Sequence, residues 1–212
     1  MLYDEMCEDV LGFANGLGAE KLSLIGHSMG GKVAMNMALK YPDKLASLVV
    51  VDIAPVEYSS SSMHLSILDA MANLDLNSIT SVAQARDLLS KEIPDQETRE
   101  FILTNLTQVQ ETKKFKWKVN VQSIREGVKN GELKKFNVDS NLTYDGPTLF
   151  VRGGRSKYVQ DVHFDTIRRF FPNSRVETVE NAGHWIHHES PEELNRILND
   201  WFQEIAPQEK TT

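Results

Sequence analysis

Lys21–Met35 reads KLSLIGHSMGGKVAM. The apolar run Leu22–Ile25 leads into Gly26-His27-Ser28-Met29-Gly30, and a helix-forming segment begins at once. Strand, sharp turn and helix in that order put Ser28 at the tip of a G-x-S-x-G elbow, where a strained turn lifts the hydroxyl off the backbone. Residues two before and two after the serine are expected to be small, because strand and helix backbones nearly touch there. Gly26 and Gly30 meet that demand. A second pattern runs through the same residues: Gly26, Gly31 and Lys32 spell G-x-x-x-x-G-K, most of a phosphate-binding loop. Val33 stands where that loop needs a hydroxyl for its metal, so a nucleotide-binding P-loop protein is only a remote alternative.

The 212 residues around this stretch are 41% hydrophobic and 25% charged, enough for one globular domain with a sizeable core. A net charge of −7 argues against a nucleic-acid partner. The single cysteine, Cys7, excludes an internal disulfide framework, fits a reducing compartment, and reads as a small residue on a helix. No run approaches the ~20 apolar residues of a membrane span. The start of the chain is acidic (Asp4, Glu5, Glu8, Asp9), unlike a signal or transit peptide.

Helical spacing of Met6, Val10, Phe13 and Leu17 predicts an amphipathic helix over 3–17, upstream of the elbow. Downstream, residues 29–40 form the elbow helix, with Val33, Ala34, Met37 and Ala38 on one face. Leu45–Val51, apolar at nearly every position, is expected to be a parallel strand covered on both sides. Ser28 and Asp52 then lie at the carboxyl ends of neighbouring strands, where ligand sites form in such sheets. Ser59–Ser62 reads as a turn-like run. From about residue 57 to 140, successive helical patterns (63–73, 82–92, 96–109, 121–129) predict a mostly helical insertion, a cap over the strand ends. Within it Lys114–Val119 alternates lysines with Phe115, Trp117 and Val119, a short half-buried strand with a solvated or substrate-steering basic face. Sheet resumes at 147–151, a helix follows over 161–171, and a strand over 175–179 leads to Asn181-Ala182-Gly183-His184-Trp185. Ser190, Pro191 and Glu193 predict a capped last helix with Leu194, Ile197, Leu198 and Trp201 buried. The domain reading is 1–56 elbow part of the core, 57–140 cap, and 141–212 core with the histidine loop.

A serine hydroxyl needs a base to take its proton and a third group to orient that base. His184, after the last strand in a glycine-led loop, is the base of choice among six histidines. His187 and His188 lack a preceding Ala-Gly, and His64 and His163 fall on predicted helices. His27, beside the nucleophile, is left between an oxyanion and a packing role. The acid is expected after the 147–151 strand, but Gly153-Gly154-Arg155-Ser156 offers only a neutral serine there. Asp52, 24 residues after Ser28, is the substitute, with Ser156 in support and Asp161 in reserve. The Met29 N–H would face the oxyanion.

The blocks GHSMGGKVAM, VVVDIAPVEY, FILTNL, FKWKVN, GPTLFVRGGRSKYV and NAGHWIHHESP resemble the esterase/lipase branch of the α/β-hydrolase superfamily. They look most like the abhydrolase-domain-containing protein eleven group and its bacterial short-acyl esterase relatives, over nearly all of residues 3–203. The resemblance implies an α/β fold, a parallel sheet with flanking helices and a helical cap. It implies hydrolysis of carboxylic esters (short-acyl esters, acylglycerols or acyl-thioesters) with no cofactor and no metal. It implies a mitochondrial location for eukaryotic members, with a cytoplasmic one left open here, and in bacterial relatives an acid role shared by residues matching Asp52 and Ser156. Such hydrolases carry about half of their sheet before the elbow, including a second oxyanion-hole N–H. Here one helix precedes the nucleophile strand, which predicts an N-terminally truncated isoform or fragment whose nucleophile strand forms an exposed edge. An inactive or binding-only remnant is therefore the main alternative to a working hydrolase.

Overall fold

Leu48, Val49 and Val50 are fully buried, and this run forms the interior of a four-stranded parallel sheet in a computed structural model that describes residues 2–58, 62–134, 136 and 138–206. The sheet order is β1 (Leu22–His27), β2 (Leu45–Val51), β5 (Thr148–Gly153), β6 (Ser174–Val179). Burial separates interior from edge: β2 and β5 are buried at almost every residue, whereas β1 alternates and leaves Ile25 52% exposed. Among the described residues β1 is thus an edge strand, and it carries the serine elbow. Parallel pairing aligns His27 with Val51, so the chain leaves both strands at the same level and Ser28 and Asp52 emerge side by side.

Two compact units divide the chain, residues 3–57 with 136–212 and residues 1–2 with 58–135. In the sheet unit, α1 (Tyr3–Gly16) packs on α2 (Met29–Lys40), and the Cys7 thiol donates to Val33 O at 3.5 Å. Helix α2 is buried all round from Gly31 to Leu39 and lies on the face of Val50. The opposite face, with Val49, Val51, Leu149 and Val151, receives α9 (Pro191–Ile205) through Leu194, Ile197 and Trp201. Helices on both faces of a parallel sheet define an α/β architecture.

The second unit holds α3 (Ser62–Asn73), α4 (Val82–Leu89), α5 (Gln96–Leu103), an antiparallel pair β3 (Leu106–Gln108) and β4 (Phe115–Trp117), and α6 (Val121–Lys129). Its own core gathers Leu68, Met71, Leu89, Ile102, Phe115 and their neighbours. Ser81, Asp95 and Asn120 cap three of its helices by accepting the N–H three residues on. Lys116 points to water between Phe115 and Trp117, whose indole donates to Met71 O at 3.1 Å.

Four expectations need correcting. Helix α1 buries Tyr3, Cys7 and Ala14, while Phe13 and Leu17 are 71% and 64% exposed; small Cys7 and Ala14 allow close approach to α2, which the bulkier stripe would not. The helix expected to run to residue 109 stops at Leu103, because Leu106–Gln108 pairs with β4. Ser190 starts α9, but its side chain caps nothing: the short α8 (Ile186–Glu189) runs straight into it, and its N–H is spent on Ile186 O. Gly30 is not required to be small, since a Cβ there would meet nothing within 4 Å. The close approach falls on Gly26, whose Cβ would lie 2.4 Å from Gly30 O, and on Gly31, whose Cβ would lie 2.5 Å from Ile53 Cγ2. Of the serine run, residues 59–61 lie outside the described residues, and Ser62 opens α3.

Candidate active site

Ser28 has φ 53° and ψ −120°, a left-handed conformation that a side chain rarely adopts. The strain persists because both ends of the turn are fixed: Ser28 N–H donates to Val51 O at 3.0 Å, and Lys32 N–H returns to Ser28 O at 3.2 Å. Asp52 also takes a left-handed φ, 49°, as β2 ends. Its N–H bonds Val151 O at 2.8 Å, which anchors the carboxylate between β2 and β5.

His184 meets both residues. Its Nδ1 lies 2.7 Å from Asp52 Oδ2 and its Nε2 lies 3.0 Å from Ser28 Oγ. A carboxylate only accepts, so Nδ1 carries the proton and Nε2 presents its lone pair to the serine hydroxyl. Asp52 is completely buried, yet three donors converge on it. Gly153 N–H reaches Oδ1 at 3.1 Å, while the Ser156 hydroxyl and His184 Nδ1–H share Oδ2. A carboxylate held by that many donors stays a hydrogen-bonding partner despite its burial. Ser156 in turn accepts Tyr158 N–H at 3.2 Å, and the Tyr158 ring stacks on the His184 imidazole with centroids 4.1 Å apart.

The structure therefore brings Ser28, His184, Asp52 and Ser156 together within the sheet unit. Met29 is the first residue of α2, so its N–H has no intrahelical partner and lies beside the serine. Gly26 allows the turn; Gly30 sits in the helix's first turn without steric need. Asp161 stands apart, paired with Arg152 at 2.6 Å. His27 resolves as a packing and bonding residue: its Nε2–H donates to His184 O at 2.8 Å, and burial lowers its pKa to about 4, so the ring is neutral at pH 7. Lys32 is 3% exposed with its ammonium 5.8 Å from the Tyr3 ring, buried where a phosphate-loop lysine needs to meet ligand. Among the described residues no His/Cys/Asp/Glu group is arranged to hold a metal, and no helix is long and apolar enough to cross a membrane.

Sequence reasoning missed Gly31, Gly153, Tyr158 and Glu189. The glycine pairs Gly30-Gly31 and Gly153-Gly154 were visible signals of close backbone approach. A Cβ on Gly153 would lie 2.1 Å from Gly183 O, so the loop after β5 runs in contact with the loop of His184. Glu189 carried no such signal in HWIHHES.

A strained serine at a strand–helix elbow, with a histidine delivered from the loop after the last strand, defines the α/β-hydrolase class. Residues 3–191 match the family described as alpha/beta hydrolase fold, and the chain belongs to that family, in its esterase/lipase group. It is 38% identical over 196 residues to the mouse (Mus musculus) sn-1-specific diacylglycerol lipase ABHD11, covering 91% of this chain and 62% of the lipase. It is 28% identical over 204 residues to esterase YbfF of Escherichia coli, covering 94% of this chain and 76% of the esterase. Among solved structures, a marine microorganism esterase superposes with a TM-score of 0.88 at 31% identity, over 95% of this chain and 77% of that one. The chain spans about three-fifths of the length of the vertebrate lipases it matches, 62% for mouse and 60% for zebrafish (Danio rerio).

Proposed function

We propose that this protein is a serine hydrolase of carboxylic esters, acting through Ser28, His184 and Asp52. The observation that carries the reading is the continuous relay from Ser28 Oγ to His184 Nε2 at 3.0 Å and from His184 Nδ1 to Asp52 at 2.7 Å. In the proposed reaction Ser28 Oγ attacks the acyl carbon while its proton passes to His184 Nε2. The resulting imidazolium is held by Asp52, which Ser156 and Gly153 keep in place. The oxyanion of the tetrahedral intermediate takes a hydrogen bond from Met29 N–H. His184 then gives its proton to the leaving alcohol or thiol, and water repeats the sequence to release the acid and restore Ser28. No step calls for a metal or cofactor.

The named relatives, a diacylglycerol lipase and an esterase, support acylglycerols and short-acyl esters as the substrate class, with acyl-thioesters open to the same chemistry. The resemblance also supports a mitochondrial place of action, which fractionation of cells expressing the tagged chain tests. A fluorophosphonate probe tests the chemistry: Ser28 should be labelled in the native chain and not in S28A, and H184A should label far more slowly. A folded chain whose Ser28 stays unlabelled overturns the proposal.

One observation favours a second reading, a binding-only member of the family. Met29 N–H is the one oxyanion donor assigned among the described residues, and lack of one donor typically costs about 10²–10³ in rate. Labelling of Ser28 without measurable ester turnover would support it.

A further inference from the structure

The ring of His184 is held by Asp52 and Tyr158, but its backbone is held as well, from both sides. Glu189, at the end of α8, turns its carboxylate back onto the histidine loop. Oε2 accepts Gly183 N–H at 2.8 Å and Oε1 accepts Trp185 N–H at 3.0 Å, the residues immediately before and after His184. Between them, His184 O accepts from His27 at 2.8 Å. Arg155 Nη2 donates to the same Glu189 Oε2 at 2.8 Å. Arg155 belongs to the loop that carries Ser156, and its own N–H donates to Ala182 O at 2.9 Å. One carboxylate therefore ties the loop supporting Asp52 to the loop delivering the base.

Burial works to raise the Glu189 pKa, but the Gly183 and Trp185 N–H groups and the Arg155 guanidinium outweigh it and hold the group below the usual glutamate range. The clamp is thus charged at neutral pH, and its bonds are of the stronger, charge-assisted kind. Such a clamp has a purpose beyond closing a loop. His184 lies in neither helix nor strand, so no regular hydrogen-bond ladder fixes its backbone. Its ring must nevertheless meet Asp52 and Ser28 at once, and a misplacement of an ångström can cost about 10²-fold in rate.

We propose that Glu189, braced by Arg155, is a positioning residue for His184. By pinning the peptide groups on either side of the histidine, it holds the imidazole at bonding distance from Asp52 and Ser28 together. This rests on His184 being the base of the proposed hydrolase.

The test uses the full chain with E189Q, E189A and R155M. Arg196→Met, which removes an exposed ion pair to Asp200 at 3.4 Å, serves as the control. E189Q keeps the bulk of Glu189 but sets an amide NH₂ against one of the two backbone donors. Three quantities are read: the rate constant for fluorophosphonate labelling of Ser28, the NMR resonance of the hydrogen-bonded His184 Nδ1 proton (assigned by its absence in H184Q), and thermal unfolding. E189Q and E189A should label about 10- to 100-fold more slowly and lose or broaden the Nδ1 resonance. R155M should show a smaller effect in the same direction, and R196M should match the native chain. A folded E189Q with native labelling rate and an intact Nδ1 resonance overturns the proposal and leaves Glu189 a loop staple. If E189A fails to fold, E189Q and R155M decide. A native chain that never labels, yet shows an Nδ1 resonance lost in E189Q, defeats the hydrolase reading while the positioning role stands.

Discussion

Asp52→Asn separates charge from shape at the buried end of the relay. The carboxylate accepts Gly153 N–H on Oδ1 and both Ser156 O–H and His184 Nδ1–H on Oδ2. An asparagine there has two orientations. With its carbonyl in the Oδ2 position, the histidine keeps its tautomer, but the amide NH₂ opposes Gly153 N–H and the charge that would stabilise an imidazolium is gone. One buried donor left unpaired costs about 1–3 kcal/mol. With the amide nitrogen in the Oδ2 position, His184 must present a lone pair at Nδ1. Its Nε2–H then faces Ser28, which is no longer activated. The first arrangement weakens the base by leaving its imidazolium without a counter-charge and the second removes it, and a neutral isostere of a triad acid elsewhere costs about 10⁴ in rate. D52N should therefore stay folded and label with fluorophosphonate about 10⁴-fold more slowly than the native chain. Ser156→Ala removes one donor and keeps the charge, so its loss should be nearer tenfold, about 1.4 kcal/mol. D52N labelling at the native rate, in a protein with native thermal unfolding, would refute Asp52 as the acid.

Gly26→Ala and Gly31→Ala should each destabilise by about 2 kcal/mol or more in chemical denaturation, since each Cβ would enter space already filled. Gly30→Ala should instead be neutral or stabilise by up to about 1 kcal/mol, because the site is open and helical. Phe150→Ala, fully buried against Phe171, should cost about 3–5 kcal/mol. His27 has a folded pKa of about 4 against 6.5 when unfolded, so the unfolded chain binds more protons in that window. Stability should be full above about pH 6.5 and fall as pH drops towards 4, and His27→Gln should flatten that slope in pH-dependent unfolding.

Most of the candidate site was legible because its residues sit where regular structure ends. Ser28 follows a strand and precedes a helix, Asp52 ends a continuous apolar run, and His184 follows an Ala-Gly after the last strand. Each announces its place through local pattern. The sheet interior was legible for a similar reason: Leu45–Val51 lacks the alternation that an edge strand such as β1 shows. What stayed hidden depends on which of two surfaces a neighbour selects. Helix α1 offers a bulky stripe and a small one, and close packing on α2 chose Tyr3, Cys7 and Ala14. Residues 106–109 fit a helix until pairing with β4 is allowed for. Glu189 was hidden because it acts on backbone N–H groups, which carry no residue identity. Tyr158 acts on a ring 26 residues away in sequence, which no local pattern reports.

The placement of Asp52, the proposed acid, directly after β2 bears on the order in which the site can assemble. Ser28 and Asp52 are joined by 24 residues of a single strand–helix–strand unit, whereas His184 lies 132 residues from Asp52 and 156 from Ser28. Closing the shorter segment carries the smaller entropic cost, and contacts between distant segments form more slowly. In the proposed hydrolase, a nascent chain folded only through β2 would hold Ser28 and Asp52 as neighbours with no histidine between them. On that reading reactivity would wait for the final loop to dock, and half-made copies of the protein would carry an inert serine.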